Sequence, residues 1–434
     1  MKKFCTLLVS LILLVNVVSA QQLVLEKVTV VSRHSVRAPL DKYLSTLDEM
    51  TGKGHQWHRW PVPGSHLTLR GGSLEMLFGE YFRLKFNEKN PFVDGLKETD
   101  IYFGASSKQR TIATARAFAA GMFPLMSIPI DFKTKADGSV GYLDPDYLPL
   151  LNDSCGPDGF FDTNAFKVEA YSELGTLTPP SYSFLEKMLR MKKSEYAKKH
   201  NNEHFDTCVG VCLNFYNKAK NERLEPTMVG GLKDANMASD AFILQYYEME
   251  NAKDAAFGRK LSFDEWKKLA SIKDYYGYLL FAKAPIIFVN VSHCMLKRVQ
   301  KELAPGGHKF AFFCTHDSMI EALLAALRAD TNYKLENTIE EKTPIGFKLV
   351  FEQWTETSCL NPKKYIKVSL VYQSSEQIRE MCILDLEHKP MSYEPIFTGI
   401  EKTANGMYDY DEFMQHIQKS IDAYNATARG QRPW

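Results

Sequence analysis

The sequence has almost no surplus charge, few cysteines and, after its first twenty residues, no long apolar run. Its 53 Lys and Arg residues nearly balance 52 Asp and Glu residues, for a formal net charge of +1, which argues against nucleic acid as the main partner. No later segment approaches the length of a membrane span, so no membrane partner is expected. With 434 residues, 45% of them hydrophobic, the chain has the composition of a globular protein with two domains, or with one domain that carries an insertion.

Cysteine is scarce, with eight residues, and none has the spacing of a zinc site. Cys5 lies in the N-terminal apolar run, and the remaining odd number predicts at least one free or intermolecular thiol. Cys208 and Cys212 flank only three residues, so a local disulfide is expected between them in an oxidising compartment. The pattern of any other pairing stays open, and no metal or cofactor is predicted.

The first twenty residues differ in composition from the rest of the chain. Lys2 and Lys3 precede an apolar run from Leu7 to Val18, and small residues up to Ala20 resemble a cleavage site. This pattern predicts a signal peptide over residues 1–20, and the run is short for a membrane anchor. The protein is therefore expected to be exported, to a periplasm if the host is bacterial or otherwise secreted. The oligomeric state, a homodimer included, is left open.

Apolar runs near both ends of the chain are typical of buried strands, whereas the middle has helical periodicity. The strand-like runs are Leu25–Val31, residues 101–104 and Phe310–Cys314, and helical spacing dominates residues 145–283. The simplest architecture is an α/β sandwich built from residues 21–144 and 284–434. The helical segment, residues 145–283, would be inserted as a cap over the site.

Unusual polar residues follow three of the predicted strands. Ligands of open α/β sheets bind at the carboxyl ends of strands, so these residues are expected to meet. The first strand runs into the sequence SRHSVRAPL at residues 32–40, where a cluster of cations calls for an anion among them. The three strand ends supply six side chains that could bind or react with a ligand: Arg33, His34, Arg37, Arg110, His316 and Asp317.

These six side chains have the chemistry that phosphoryl transfer needs. Arginine forks match phosphate oxygens, and three of them would stabilise a tetrahedral dianion. Positive neighbours would keep His34 neutral, so that it attacks phosphorus and forms a phosphohistidine, while a protonated Asp317 serves the leaving alcohol and gives an acid optimum. Each piece alone is more often structural, since His-Asp is also an ordinary helix start. A purely structural explanation would require three unrelated coincidences at three strand ends, so the combination favours a functional site.

The motif Arg33-His34-x-x-Arg37-x-Pro39 with a distant His316-Asp317 resembles the histidine acid phosphatase family. The resemblance implies a three-layer α/β/α core of the phosphoglycerate mutase type with an inserted, mainly helical domain. It implies His34 as nucleophile and Asp317 as proton donor. Arg33, Arg37, Arg110 and His316 would be the phosphate ligands, and the substrate a small phosphate monoester.

The sequence departs from most of the family at Ser35, where glycine is usual. Glycine lets the backbone approach the phosphate or take a positive φ, so Ser35 by itself would weaken the pocket. The periplasmic glucose-1-phosphatases of enteric bacteria carry Asn there, so the departure is tolerated within that branch and points to it. The chain resembles that branch from about residue 25 to 416. Stretches such as LTLRGGSLEM (67–76) and SSKQRTIATARAF (106–118) carry this resemblance.

Glu225, followed by Pro226, matches a substrate-contacting Glu of that branch. The alternative is that Glu225 is an ordinary solvated charge on the surface. An acidic residue over the pocket would disfavour a heavily phosphorylated ring, so a sugar phosphate is expected as substrate. A phytase proper stays the alternative. A catalytically silent exported phosphate- or sugar-phosphate-binding protein is supported by Ser35 alone. A phosphotransfer mutase of the wider superfamily is disfavoured, because such mutases are mostly cytosolic and this chain has a predicted signal peptide.

Overall fold

The computed structural model describes residues 23–89, 91–151, 160–174, 182–205, 214–217, 222–228, 230–357 and 361–434. The predicted signal peptide, residues 1–20, lies outside these residues, as do both cysteines of the predicted Cys208–Cys212 disulfide. Both stay predictions.

In the described residues, nine strands form two sheets. They are β1 (Leu23–Arg33), β2 (Ile101–Ala105), β3 (Asn214–Asn217), β4 (Glu222–Thr227), β5 (Phe310–Thr315), β6 (Lys348–Glu356), β7 (Lys363–Tyr372), β8 (Met391–Tyr393) and β9 (Tyr408–Asp409). The larger sheet has seven strands in the order β2-β5-β1-β6-β7-β8, with β9 also paired to β7. Strands β2, β5 and β1 are parallel, and the pairs from β1 to β8 are antiparallel.

The helices occupy the segments between these strands and the segment that follows β9. They are α1 (Asp41–Met50), α2 (Leu69–Asn87), α3 (Gln109–Met122), α4 (Thr163–Leu174), α5 (Ser183–Leu189), α6 (Glu195–His200), α7 (Gly231–Glu248), α8 (Ala252–Ala255), α9 (Phe263–Tyr278), α10 (Pro285–Leu303), α11 (Asp317–Ala326), α12 (Ser375–Arg379), α13 (Tyr410–Asp422) and α14 (Tyr424–Ala428). A π-helical turn, Leu279–Lys283, joins α9 to α10.

Local sequence explains several of these boundaries. Thr68 begins α2 as its N-cap, with Oγ1 accepting from the Gly71 N–H at 3.0 Å. Ser262 and Glu265 form the predicted capping box ahead of α9. Strand β5 is buried at every residue, as expected for a continuous apolar run in a central parallel strand.

The large sheet lies between two layers of helices. Adjacent residues of β1 point to opposite faces, so Val30 packs into the core with Phe118 of α3, and Val31 packs into a second core with Leu296 of α10 and Ile320 of α11. The predicted α/β fold with a three-layer α/β/α core is therefore confirmed.

A third core joins the helices of the middle of the chain. It includes Met188 of α5, Leu244 of α7 and Trp266 of α9, and it extends to Met50 of α1. The two-stranded antiparallel sheet β3–β4 lies within this mainly helical region and had no clear signal in the sequence. The boundaries of the cap, residues 145–283, stay a prediction.

Membrane-spanning length and apolar content are not combined in any single helix of the described residues. The pair Phe263–Lys283 and Pro285–Leu303 reaches them jointly, with a bend of 85° between its members.

Candidate active site

The three predicted strand ends meet at one edge of the large sheet. Strand β5 pairs in parallel with both β1 and β2, and the register places Arg33 beside Thr315 and Ala105 beside Cys314. A cavity of about 810 Å³ opens at this edge. Six of the seven predicted site residues line it: His34, Arg37, Arg110, Glu225, His316 and Asp317.

His34 is buried and has a defined tautomer. Its Nδ1 lies 2.9 Å from the carbonyl oxygen of Ser35. A carbonyl oxygen only accepts, so Nδ1 carries the ring proton, and the neutral ring has its lone pair on Nε2. Burial lowers the pKa of His34 well below its ordinary value, and Arg110 and Arg37 lower it further. The predicted direction is confirmed, with burial as the largest cause.

His316 is held by a chain of hydrogen bonds. Nη2 of Arg110 lies 3.3 Å from Nδ1, and a guanidinium only donates, so Nε2 of His316 donates to Ser106 Oγ at 3.0 Å. Ser106 Oγ in turn bonds Thr111 Oγ1 at 2.8 Å. Burial, followed by Arg110, lowers the pKa of His316 well below its ordinary value. Both ring nitrogens are therefore engaged, and a phosphate would have to replace Arg110 at Nδ1 and protonate it.

The two arginines of the cavity differ in their partners. Arg37 Nη2 lies 2.9 Å from Oδ2 of Asp240 on α7. No carboxylate of the described residues forms an ion pair with Arg110. Burial and then the charge of Arg37 lower the pKa of Arg110 to about 10. An anion in the cavity would relieve this repulsion, which makes the place suited to phosphate.

Asp317 begins α11 and is bound by two cations. Its Oδ2 lies 2.6 Å from Nζ of Lys273 and 3.4 Å from Nη2 of Arg33. Burial raises the pKa of Asp317, but Lys273 and Arg33 outweigh burial and hold it well below its ordinary value. The carboxyl is therefore ionised in the empty site, and a proton donor role requires a proton from elsewhere.

Arg33 lies behind the cavity wall. Its side chain is 1% exposed, and Nη1 donates to Glu340 at 2.7 Å and to the Thr343 carbonyl at 2.5 Å. Among the described residues that line the cavity, Arg33 is missing. Its role as phosphate ligand stays a prediction, and its observed contact with the site is through Asp317.

Sequence reasoning missed Lys273, which contacts Asp317 directly. Lys273 lies on α9, four residues after Leu269 and seven after Trp266, and both of these are buried. A lysine on the apolar face of a helix signals a buried ion pair, and this pattern was present in the sequence.

The comparison with known families agrees with this geometry. The family described as histidine phosphatase superfamily (branch 2) matches residues 24–371. The chain belongs to this superfamily branch. A glucose-1-phosphatase of Providencia rettgeri is 33% identical over 407 residues, which cover 92% of this chain and 93% of that protein. Phytase AppA of Escherichia coli is 28% identical, with 93% of each chain covered.

The histidine phosphatase fold is also seen in a solved structure. The apo form of Hafnia alvei phytase matches with a TM-score of 0.77 and 24% identity, covering 92% of this chain and 97% of that chain. This likeness supports the fold, and the predicted family resemblance is confirmed by the sequence comparisons.

Ser35 does not act as its departure from the family motif suggested. It is not among the non-glycine residues with positive φ, and it is not one of the residues that line the cavity. Its N–H donates to Thr114 Oγ1 at 3.2 Å, and its carbonyl orients His34. Neither need for glycine applies here, and the backbone therefore agrees with the interpretation that Ser35 is tolerated.

Glu225 lies on β4 and lines the cavity as predicted. Burial raises the pKa of Glu225 above its ordinary value and outweighs the nearby cations Lys42, Arg110 and Lys108, which lower it. Lys42 and Lys108 also line the cavity. These lysines reduce the repulsion that Glu225 alone would exert on an anionic substrate, and its contact with substrate stays a prediction.

Proposed function

We propose that this protein is an exported acid phosphomonoesterase that hydrolyses small sugar phosphates, such as glucose-1-phosphate, through a phosphohistidine. The tautomer of His34 is the observation that carries this proposal. The Ser35 carbonyl fixes the proton on Nδ1, so the lone pair of Nε2 is available in a ring that lines the cavity. Arg37 and Arg110, which line the same cavity, would bind the phosphate.

In the first step Nε2 of His34 attacks phosphorus and the ester P–O bond breaks. Arg37 and Arg110 would bind the phosphoryl oxygens and stabilise their charge in the transition state. The departing alkoxide takes a proton from Asp317 and leaves as the alcohol. Arg33 contributes by holding Asp317, and His316 by offering Nδ1–H once it is protonated.

In the second step water attacks the phosphohistidine. Asp317, now ionised, accepts a proton from the water, the N–P bond breaks, and inorganic phosphate leaves. His34 returns to its neutral form. The lowered pKa of His34 keeps this nitrogen unprotonated in mild acid, which supports an acid optimum.

The substrate class is supported by the relatives and by Glu225. The glucose-1-phosphatases of Providencia rettgeri and Salmonella typhimurium are 33% and 32% identical to this chain. A carboxylate that lines the cavity accepts hydrogen bonds from sugar hydroxyls, and it disfavours a second phosphate at the same place.

Phytase is the second candidate, and the lysines of the cavity favour it. Lys42, Lys108 and Lys233 line the same space as Glu225. Cations that line the cavity beside the phosphate-binding arginines would attract the further phosphates of a multiply phosphorylated ring.

Export rests on the signal-like composition of residues 1–20. Expression of the full chain in a bacterial host, followed by fractionation and N-terminal sequencing, tests it. A mature N-terminus at Gln21 in the periplasmic fraction is expected. A cytoplasmic chain with an intact N-terminus would contradict export.

The activity is tested with the purified mature protein on glucose-1-phosphate, phytate and p-nitrophenyl phosphate from acid to alkaline pH. Turnover that peaks below neutrality and favours the sugar phosphate is expected, with His34→Ala as the blank. A preference for phytate would select the second candidate. No turnover above the blank on any substrate would leave the binding-protein interpretation.

A further inference from the structure

Asp317 lacks the proton that the first step needs. Its Oδ2 is held at 2.6 Å by Lys273 and at 3.4 Å by Arg33, and these cations keep the carboxyl ionised. An ionised carboxylate accepts protons and cannot donate one. A second acid near Asp317 would solve this problem if it remained protonated in the working range of pH.

Glu321 meets the geometric requirement. It lies on α11 one helical turn after Asp317, and residues four apart on a helix are neighbours on one face. It is 7% exposed, yet it lines the same cavity as His34 and Asp317. The helix α9 makes room for it at Gly277, where any side chain would collide with both carboxyl oxygens of Glu321.

The burial of Glu321 and its unpartnered Oε2 favour a neutral acid. Thr343 Oγ1 donates to Oε1 at 2.9 Å, whereas Oε2 is buried with no partner among the described residues. The nearby cations have other partners, since Lys273 binds Asp317 and Glu340. A buried carboxyl with no ion pair of its own keeps its proton, because burial disfavours the ionised form and a second negative charge would lie close to Asp317.

The charged and titratable groups around Glu321 agree with this conclusion. They come from its own helix, from α9 and from the loop after α11, and are Asp317, Lys273, Asp274, Tyr333 and Lys342. Burial and then the charge of Asp317 raise the pKa of Glu321 to about 8, and they outweigh Lys273 and the Thr343 hydrogen bond, which lower it. Glu321 is thus protonated where Asp317 is ionised.

We propose that Glu321 is the proton store of the active site and recharges Asp317 for each turnover. The inference rests on the proposed phosphatase function. Glu321 gives its proton to Asp317, and Asp317 passes it to the departing alkoxide. In the second step Asp317 takes a proton from the attacking water and returns it to Glu321. No proton is gained or lost by the pair over the cycle.

The substitution Glu321→Gln tests the store because glutamine keeps the shape and the Thr343 hydrogen bond but has no acidic proton. For glucose-1-phosphate, whose leaving group needs a proton, kcat is expected to fall about 10- to 100-fold. For p-nitrophenyl phosphate, whose leaving group needs little help, kcat should change less than about 3-fold. Equal losses on both substrates would overturn the proposal.

Asp274→Asn is the matched control. Asp274 is also buried beside Lys273 with a raised pKa, about 7, but it is not among the residues that line the cavity. This variant should leave the ratio of the two kcat values unchanged. A ratio shifted as far as in Glu321→Gln would show that any buried carboxyl here has the same effect, and would overturn the proposal.

The pH profile of kcat for glucose-1-phosphate gives a second readout. In the wild type, kcat should fall at alkaline pH as Glu321 loses its proton. This fall should be missing in Glu321→Gln, because the lower rate of the variant no longer depends on the titration of residue 321. If this variant did not fold, Glu321→Asp would replace it, and a retained difference between the two substrates with a shifted alkaline limb is expected. An unshifted limb in either variant would contradict the store. Wild-type turnover of p-nitrophenyl phosphate separates this failure from failure of the proposed function.

Discussion

The two sides of the cavity are built differently. On the sheet side, His34, Arg37, Arg110, His316 and Asp317 follow strand ends or begin helices, and their side chains are fixed by hydrogen bonds or ion pairs. On the helical side, Asp240 and Lys273 are buried where they pair with the sheet side, whereas the polar residues Glu225, Thr227, Lys233 and Asn236 are half-buried. Fixed groups suit chemistry that requires defined geometry, and more exposed groups suit the recognition of varied leaving groups.

The difference implies that rate and substrate preference can be changed separately. Loss of the nucleophile on the sheet side should reduce kcat for every ester, and loss of a proton donor there should reduce kcat most for esters with poor leaving groups. Changes on the helical side should instead alter the ranking of substrates in kcat/KM. A helical-side variant that abolished all turnover, or a substitution of His34 that changed only the ranking, would break this division.

His34→Ala should have the largest effect, a fall in kcat of at least about 1000-fold on every substrate, because the nucleophile is removed. The measurement is steady-state turnover of p-nitrophenyl phosphate, with circular dichroism to show that the fold is kept. Lys233→Ala, on the helical side, is the control and should change kcat less than about 10-fold. Retained turnover in His34→Ala would remove His34 as the nucleophile.

Asp317→Asn should have the next largest effect, and one that depends on the leaving group. We expect kcat for glucose-1-phosphate to fall about 100-fold or more, and that for p-nitrophenyl phosphate about 10-fold or less. Parallel assays of both esters measure the ratio. If the two losses were the same, Asp317 would act through charge and not as a proton donor.

Residues at strand ends could be predicted from the sequence because the signal is local. The apolar run of β5 followed directly by His316 and Asp317 placed both at a sheet edge, and the parallel pairing of β1 with β5 then brought His34 to them. The same holds for the cap of α2 at Thr68. Each of these inferences needed only neighbouring residues and a general rule of sheets.

The partners of these residues could not be predicted in the same way. Arg33 and Glu340 are separated by 307 positions, and Arg37 and Asp240 by 203, so no local pattern connects them. Their pairing depends on how the helices dock on the sheet. The ionised state of Asp317 depends on Lys273 as well as Arg33, so the sequence predicted Asp317 as a donor without the lysine that contributes most to keeping it charged.

Glu225→Gln should have a smaller effect that lies on the helical side. Loss of the negative charge should raise the ratio of kcat/KM for phytate to that for glucose-1-phosphate by about 10-fold, with kcat for p-nitrophenyl phosphate nearly unchanged. Glu203→Gln, at an exposed position, is the control and should leave the ratio unchanged. An unchanged ratio in Glu225→Gln would mean that the lysines decide the preference.

The smallest expected effect is a change of stability with pH, and it arises from the buried carboxyls Glu321 and Asp274. The pKa of Glu321 is raised to about 8 and that of Asp274 to about 7, both mainly by burial. Unfolded carboxyls titrate near their ordinary values, so above those values the folded state binds more protons than the unfolded state. The free energy of unfolding must then decrease as pH rises through the folded pKa values.

The lowered pKa values of His34 and His316 act in the opposite direction, but only below about pH 6.5, where unfolded histidines are protonated. The decline should therefore appear between pH 6.5 and 8, and Glu321 should account for about 2 kcal/mol of it. Urea unfolding at closely spaced pH values measures it. In Glu321→Gln the decline above pH 7 should disappear, while in Asp274→Asn it should persist to pH 8. If the free energy of unfolding still declined above pH 7 in Glu321→Gln, another group would hold the proton, and Glu321 would not be the proton store for Asp317.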